Sequence, residues 1–227
     1  MIWKDLQSYG SAHWGKYLTP VTQLSKSGPG NKPLVKSAAQ MYSYDDICAG
    51  LFPPEKVPTS ADGIEITDRS VRFIEFKSGF KKKITKYNFE EEKGRCKAAQ
   101  TVCKDYWDLF FKKQEKETNE LIASIRFKAL ESYLTMEKQL LPCCQDIPKP
   151  ISVTFTAVID GDAVENMVDT LAGLSGKREV SDTSFARVKK ALSRLECLQD
   201  AEGNTYCYDK IEVLSAQDYE NQLRQRP

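Results

Sequence analysis

Three side chains in one short stretch have the types and spacing for chemistry: Asp62, Glu75 and Lys77. Asp62-Gly63-Ile64-Glu65-Ile66 alternates, and Val71 to Lys77 is rich in β-branched and aromatic residues, so the two read as the arms of a β-hairpin. Asp68-Arg69-Ser70 supplies the turn. With an even loop, Thr67 pairs with Ser70, Ile66 faces Val71, Ile64 faces Phe73 and Asp62 faces Glu75. An odd loop slips the register and sets Glu65 against Phe73. The even register matches apolar to apolar and is preferred. Residues at i and i+2 share a strand face, so Lys77 joins Asp62 and Glu75 where the apolar ladder stops.

Two adjacent carboxylates repel unless a cation lies between them. A hard cation such as Mg²⁺ takes oxygen from carboxylates, backbone carbonyls and water. An ammonium two residues on can hold the attacking water and screen a phosphate. The layout suits metal-dependent phosphodiester hydrolysis. The plainer alternative is a surface hairpin whose end is charged.

At these residues the chain resembles the PD-(D/E)xK nuclease superfamily, which carries an Asp at a strand start and Glu-x-Lys on the adjacent strand. Here those are Asp62 and Glu75-Phe76-Lys77, within Ser60 to Gly79, and Ala61 stands where the family has Pro. The resemblance implies a restriction-endonuclease-like α/β fold and a Mg²⁺ or Mn²⁺ cofactor. It assigns the metal to Asp62, Glu75 and the Phe76 carbonyl, and catalysis to Asp62, Glu75 and Lys77. A further acid often comes from the helix before the hairpin; Asp45 or Asp46 fills that place, and the choice stays open. Lys93, Lys97 and Gln100 lie where the family often sets a polar residue facing the site. The variant with Tyr four residues after Gln is not met, because residue 104 is Lys.

The elements that must position these groups are legible in part. The chain has 227 residues, enough for one domain with a real core. Its net charge of +1, from 33 basic and 32 acidic residues, excludes a protein that coats nucleic acid by charge alone, so any DNA-binding surface is local. No apolar run reaches the length of a membrane span, and Met1-Ile2-Trp3-Lys4-Asp5 lacks a signal peptide's apolar core. Seven cysteines without a Cys-x-x-Cys pair, and His13 as the only histidine, argue against zinc and for a reduced, cytoplasmic chain.

In order, residues 1–33 read as an N-terminal arm with a short helix, ending in the loop Ser25 to Pro33. Residues 34–52 read as a helix, with Ser43 and Asp46 as a capping box. After the hairpin, residues 80–87 form a third strand or a basic loop. Helices are expected at 89–113 and about 118–141, folded as an antiparallel hairpin, the second stopped by Pro142. Its apolar residues are Leu121, Ile122, Ile125, Leu130, Tyr133, Leu134 and Leu140. Ile151 to Ile159 alternates as a strand, parallel to the Glu75 strand after a helical crossover. Ser181 caps a helix striped by Phe185, Val188, Leu192 and Leu195. One or two short strands follow between Tyr206 and Leu214, then a polar terminal helix from Ser215.

The expectation is a single α/β domain, a mixed central sheet flanked by helices, with a helical insertion at about 117–145 and 162–200 as a second candidate. The expected function is hydrolysis of DNA phosphodiester bonds, with Lys81, Lys82, Lys83, Lys93 and Lys97 gripping phosphates; a homodimer stays open. The rival is an inactive nuclease-fold binding or scaffolding module of a phage, mobile element or defence system. A third class is an interaction protein that docks a partner through helices 118–141 and 182–198.

Overall fold

The hairpin forms in the even register, inside a larger sheet. A computed structural model of the chain describes residues 5–27, 32–67, 69–80, 104–144, 151–161, 183–196 and 207–225. Among them, α1 (Leu6–His13), β1 (Leu18–Pro20) and α2 (Val21–Leu24) lead to a small ribbon, β2 (Lys26–Ser27) against β3 (Lys32–Pro33). Then come β4 (Gln40–Ser43), α3 (Tyr44–Leu51), β5 (Gly63–Ile66), β6 (Ser70–Lys77) and α4 (Lys104–Thr135). β7 (Ser152–Ile159), α5 (Ser184–Glu196), β8 (Lys210–Ser215) and α6 (Ala216–Arg224) complete the described chain. Six strands form one sheet in the order β1-β4-β5-β6-β7-β8. β1, β4, β5 and β6 pair antiparallel, whereas β6, β7 and β8 run parallel. The architecture is α/β, a mixed sheet flanked by helices.

Register follows the apolar pattern. Ile66 lies opposite Val71 and Ile64 opposite Phe73, and the ladder ends at Gly63 and Ile74. Thr67 N–H donates to the Ser70 carbonyl at 2.9 Å, closing the turn. One sheet face carries Ile64, Val71, Phe73, Phe155, Ala157 and Ile159, packed against Ile125, Ala129 and Met136 on the α4 side. The stripe Phe185, Val188, Leu192 and Leu195 of α5 belongs to the same core. That face of Ser184–Glu196 therefore lies inside the protein. The other sheet face sets Ile74, Phe76 and Val158 against Tyr219 and Leu223 of α6. Burying each such side chain contributes roughly 1.5–3 kcal/mol, so these two layers fix how the helices cross the sheet.

Several local expectations are corrected. Residues 34–43 are not helical. Gln40–Ser43 pairs with both β1 and β5, and helix begins only at Tyr44, where Ser43 Oγ accepts the Asp46 N–H at 3.4 Å. The cap was legible; strand pairing overrode helix propensity before it. The two expected helices do not fold back between 113 and 118, because α4 runs straight through. Lys113 to Thr118 contains neither Gly nor Pro, and extending a helix costs less than breaking it there. The helical path ends in a π turn, Met136–Leu140, and a 3₁₀ turn, Leu141–Cys143, that holds Pro142. Leu130 and Leu134, two of the apolar residues of the second expected helix, are exposed at 37% and 44%. At the start of α5, Thr183 Oγ1 accepts the Ala186 N–H at 3.2 Å, the task expected of Ser181, which lies outside the described residues. Among the described residues, no helix is long and apolar enough to cross a membrane.

Candidate functional site

Where the β5–β6 ladder stops, a side chain takes over the pairing. Asp62 stands one residue beyond the last backbone pair, and its Oδ2 accepts the Phe76 N–H at 2.7 Å. Its carbonyl accepts the Tyr44 N–H at 3.1 Å, which ties it to the first turn of α3. Glu75 projects from β6 onto the face covered by α4, and its side chain is 1% exposed. Lys77 follows on the same face, and its Nζ donates to Ser124 Oγ of α4 at 3.1 Å. N–H and C=O of one strand residue leave the same edge, so the Phe76 carbonyl shares the edge that meets Asp62.

The cation between the acids comes from elsewhere. Lys128, one turn after Ser124 on α4, places Nζ 3.0 Å from Asp62 Oδ1 and 2.9 Å from Glu75 Oε2. The helix is fastened in the turn just after that contact. Ala61 N–H donates to Ser132 Oγ at 2.8 Å, Tyr44 Oη donates to the Ser132 carbonyl at 3.1 Å, and Tyr208 Oη to the Ala129 carbonyl at 2.5 Å. Thr59 donates N–H and hydroxyl to Glu131 Oε2 at 2.6 and 2.7 Å.

One ammonium does not neutralise two carboxylates. Burial, and then the Asp62 charge, push the Glu75 carboxyl well above its ordinary value, against the pull of Lys128 and Lys77. Burial disfavours the Lys128 ammonium, but Glu75, Asp62 and Asp45 together hold it above the usual lysine value. Glu75 Oε1 is buried with no hydrogen-bond partner among the described residues, a costly condition for a carboxylate.

Asp45 and Asp46 separate. Asp46 lies in the capped first turn of α3. Asp45 is exposed as a residue, but its carboxyl turns inward onto the Ser60 hydroxyl, which donates to Oδ1. Burial of that carboxyl raises its acid, with Lys128 and Ser60 opposing and Asp62 and Asp46 adding to the rise. Asp45 is thus the acid that senses the site. Glu65, next to Ile64 on β5, faces the other side of the sheet, 3.9 Å from Arg72. Lys81, Lys82, Lys83, Lys93, Lys97 and Gln100 lie outside the described residues.

The oxygens present suit a hard divalent cation. Asp62 Oδ1 and Glu75 Oε2 already converge on one cation position, which the Lys128 ammonium marks, and the Glu75 oxygen without a partner lies beside it. Among the described residues, however, no group of three or more His, Cys, Asp and Glu side chains gathers as a metal site. Loading would draw on these two acids, the Phe76 carbonyl and water.

Sequence reasoning missed Lys128, Ser124 and Asp160. Lys128 was signalled weakly: it follows Ile125 by three and Leu121 by seven, a lone charge on the buried stripe. Asp160 follows β7 and accepts Gly79 N–H at 2.8 Å and Phe80 N–H at 2.7 Å, clamping the exit of β6. Gly79 turns there at φ 111°, a backbone region that favours glycine. Compared with models of protein families, with curated proteins and with solved structures, the chain matches none.

Proposed function

We propose that the chain is a Mg²⁺- or Mn²⁺-dependent nuclease of the PD-(D/E)xK type, with a restriction-endonuclease-like fold, that hydrolyses DNA. The observation that carries the reading is the convergence of Asp62 and Glu75 on one cation position, with Lys77 two residues beyond Glu75 on the same face. The place supports it as well. The pair lies at the carboxyl end of β6, and open α/β sheets bind ligands outside the carboxyl ends of their strands. Asp62, Glu75 and the Phe76 carbonyl would hold the cation, with Asp45 as the neighbouring acid. The bound ion supplies Lewis-acid stabilisation of charge on the phosphate. Lys77, held by Ser124 clear of the acids, orients the attacking water and screens the phosphate. Lys81, Lys82 and Lys83 follow directly in sequence as a rim for the DNA backbone.

The test is cleavage of supercoiled and linear DNA with Mg²⁺, Mn²⁺ or EDTA, by wild type, Glu75→Ala and Lys77→Ala. Metal-dependent cleavage lost in both variants is expected. Metal-independent cleavage, or full activity in Lys77→Ala, sinks the assignment.

The rival is a nuclease-fold module without turnover, and one observation favours it: an ammonium already neutralises much of the acid pair. DNA binding without cleavage under any divalent cation would select that reading.

A further inference from the structure

Of the four carboxylate oxygens in the pair, three are engaged. Asp62 Oδ2 takes the Phe76 N–H, and Lys128 takes Asp62 Oδ1 and Glu75 Oε2. The fourth, Glu75 Oε1, is buried and without a partner among the described residues. A cation shared by both acids needs an oxygen from each. On Asp62 the oxygen not tied to the backbone is the one Lys128 holds. Two positive charges cannot share that point: at a few ångströms they repel by several kcal/mol at an effective dielectric near 20.

We propose that Lys128 is the resident counter-ion of the acid pair and a positioning residue for the site: it must leave Asp62 and Glu75 before they can hold a divalent cation. The inference rests on reading that pair as a divalent-cation site. The geometry permits the exchange. The Lys128 side chain is one-fifth exposed, so solvent reaches part of it. A lysine carries a compact charge on a flexible stem and swings without disturbing its helix. The helix is held by Ser132, Ala129 and Glu131, none of which depends on Lys128. Lys77 has its own partner in Ser124 and stays in place throughout. Among the described residues, two ammoniums thus stand at one end of β6, one standing in for the metal and one awaiting the phosphate.

The experiment combines calorimetry with amine labelling on the full chain, using MnCl₂ as the probe. Lys128→Met keeps the length of the side chain and removes its charge. It should bind Mn²⁺ about tenfold or more tightly than wild type, because a like charge is gone from the site. In wild type, acetylation of Lys128 read by mass spectrometry should be slow in EDTA and rise with Mn²⁺, against Lys138, 66% exposed, as the reference. The labelling uses unmodified protein, so it decides the matter even if Lys128→Met does not fold. Mn²⁺ binding to wild type with Lys128 still protected, or equal or weaker binding by Lys128→Met, overturns the displacement and leaves the metal reading standing. Binding by Lys128→Met alone overturns the displacement too, because Lys128 is then a permanent occupant, and the wild-type metal reading falls with it. No binding by either protein removes both ideas.

Discussion

Arg72 and Glu75 lie three residues apart on β6 and face opposite sides of the sheet, and each belongs to a cluster of charges. The Arg72 cluster is complete. Its guanidinium donates to Thr156 Oγ1 at 2.8 Å, to Glu212 Oε2 at 3.0 Å and to Gln222 Oε1 at 3.0 Å, and lies 3.9 Å from Glu65. It thereby ties β5, β6, β7, β8 and α6 together. Burial works against the Glu212 carboxylate, but Lys210 and Arg72 outweigh it and hold the acid below its ordinary value. Among the described residues the Glu75 cluster is incomplete: two acids share one ammonium, the buried acid is pushed up, and one oxygen goes without a partner. A planar fork matched to its acceptors braces a fold. A point charge short of its acids leaves charge for something else to satisfy, which is how sites differ from scaffolding.

Substitutions should separate the clusters, beginning with the largest effect. Lys77→Ala should lower metal-dependent cleavage by about 10²–10³-fold, the usual cost of losing one preorganised charge, with a melting temperature near wild type. Arg72→Ala should leave cleavage per folded molecule nearly unchanged, and equal losses in the two variants would erase the distinction. Arg72→Ala should instead cost stability. Removing one member of a buried pair costs about 3–5 kcal/mol. Arg72 and Glu212 are each 20% exposed, so about 2–3 kcal/mol is expected, a fall of about 4–12 °C by calorimetry.

Glu75→Gln should act in the opposite direction. An acid held above its unfolded value favours the folded state only when protonated. Wild-type stability is therefore reduced once the pH rises through the raised value, and the penalty fades as the pH falls toward the ordinary carboxylate range. In EDTA at pH 8, Glu75→Gln should melt about 2–4 °C above wild type, and the gap should shrink in acid. The lowered Glu212 contributes stability above its ordinary value that is lost as the pH falls through its depressed one. The deficit of Arg72→Ala should therefore also shrink in acid, with the opposite sign. A Glu75→Gln protein less stable than wild type at pH 8 would mean that Lys128 satisfies Glu75 fully.

Two smaller effects sharpen the picture. Replacing Lys81, Lys82 and Lys83 with Gln in a Glu75→Gln background should flatten the slope of log affinity against log salt by about two to three units on duplex DNA. An unchanged slope would move the DNA path, with Lys93 and Lys97 next to test. Asp46→Asn should cost about 0.3–1 kcal/mol through the first turn of α3 and leave cleavage intact. Asp45→Asn should weaken Mn²⁺ binding instead, and the reverse pattern would exchange their roles.

The amino-acid sequence by itself determined the hairpin register, because turn parity and a period of two leave only one pairing that keeps Ile64 and Ile66 against Phe73 and Val71. It determined the strand at 152–159, the stripe of α5 and the polar terminal helix from Ser215, which the structure caps through Ser215 Oγ, accepting the Asp218 N–H at 3.0 Å. All are local patterns read within a few turns of chain. It placed Asp62 beside Glu75 for the same reason. Only the tertiary structure decided which cation joins them. Lys128 is 66 residues from Asp62 along the chain, and its role depends on which face of α4 meets the sheet. Apolar residues lie all around that helix, Leu130 and Leu134 included, so periodicity does not single out the buried face. Packing does: Ile125, Ala129 and Met136 fit the surface made by Phe73 and Phe155, and turning them inward carries Lys128 onto the two acids.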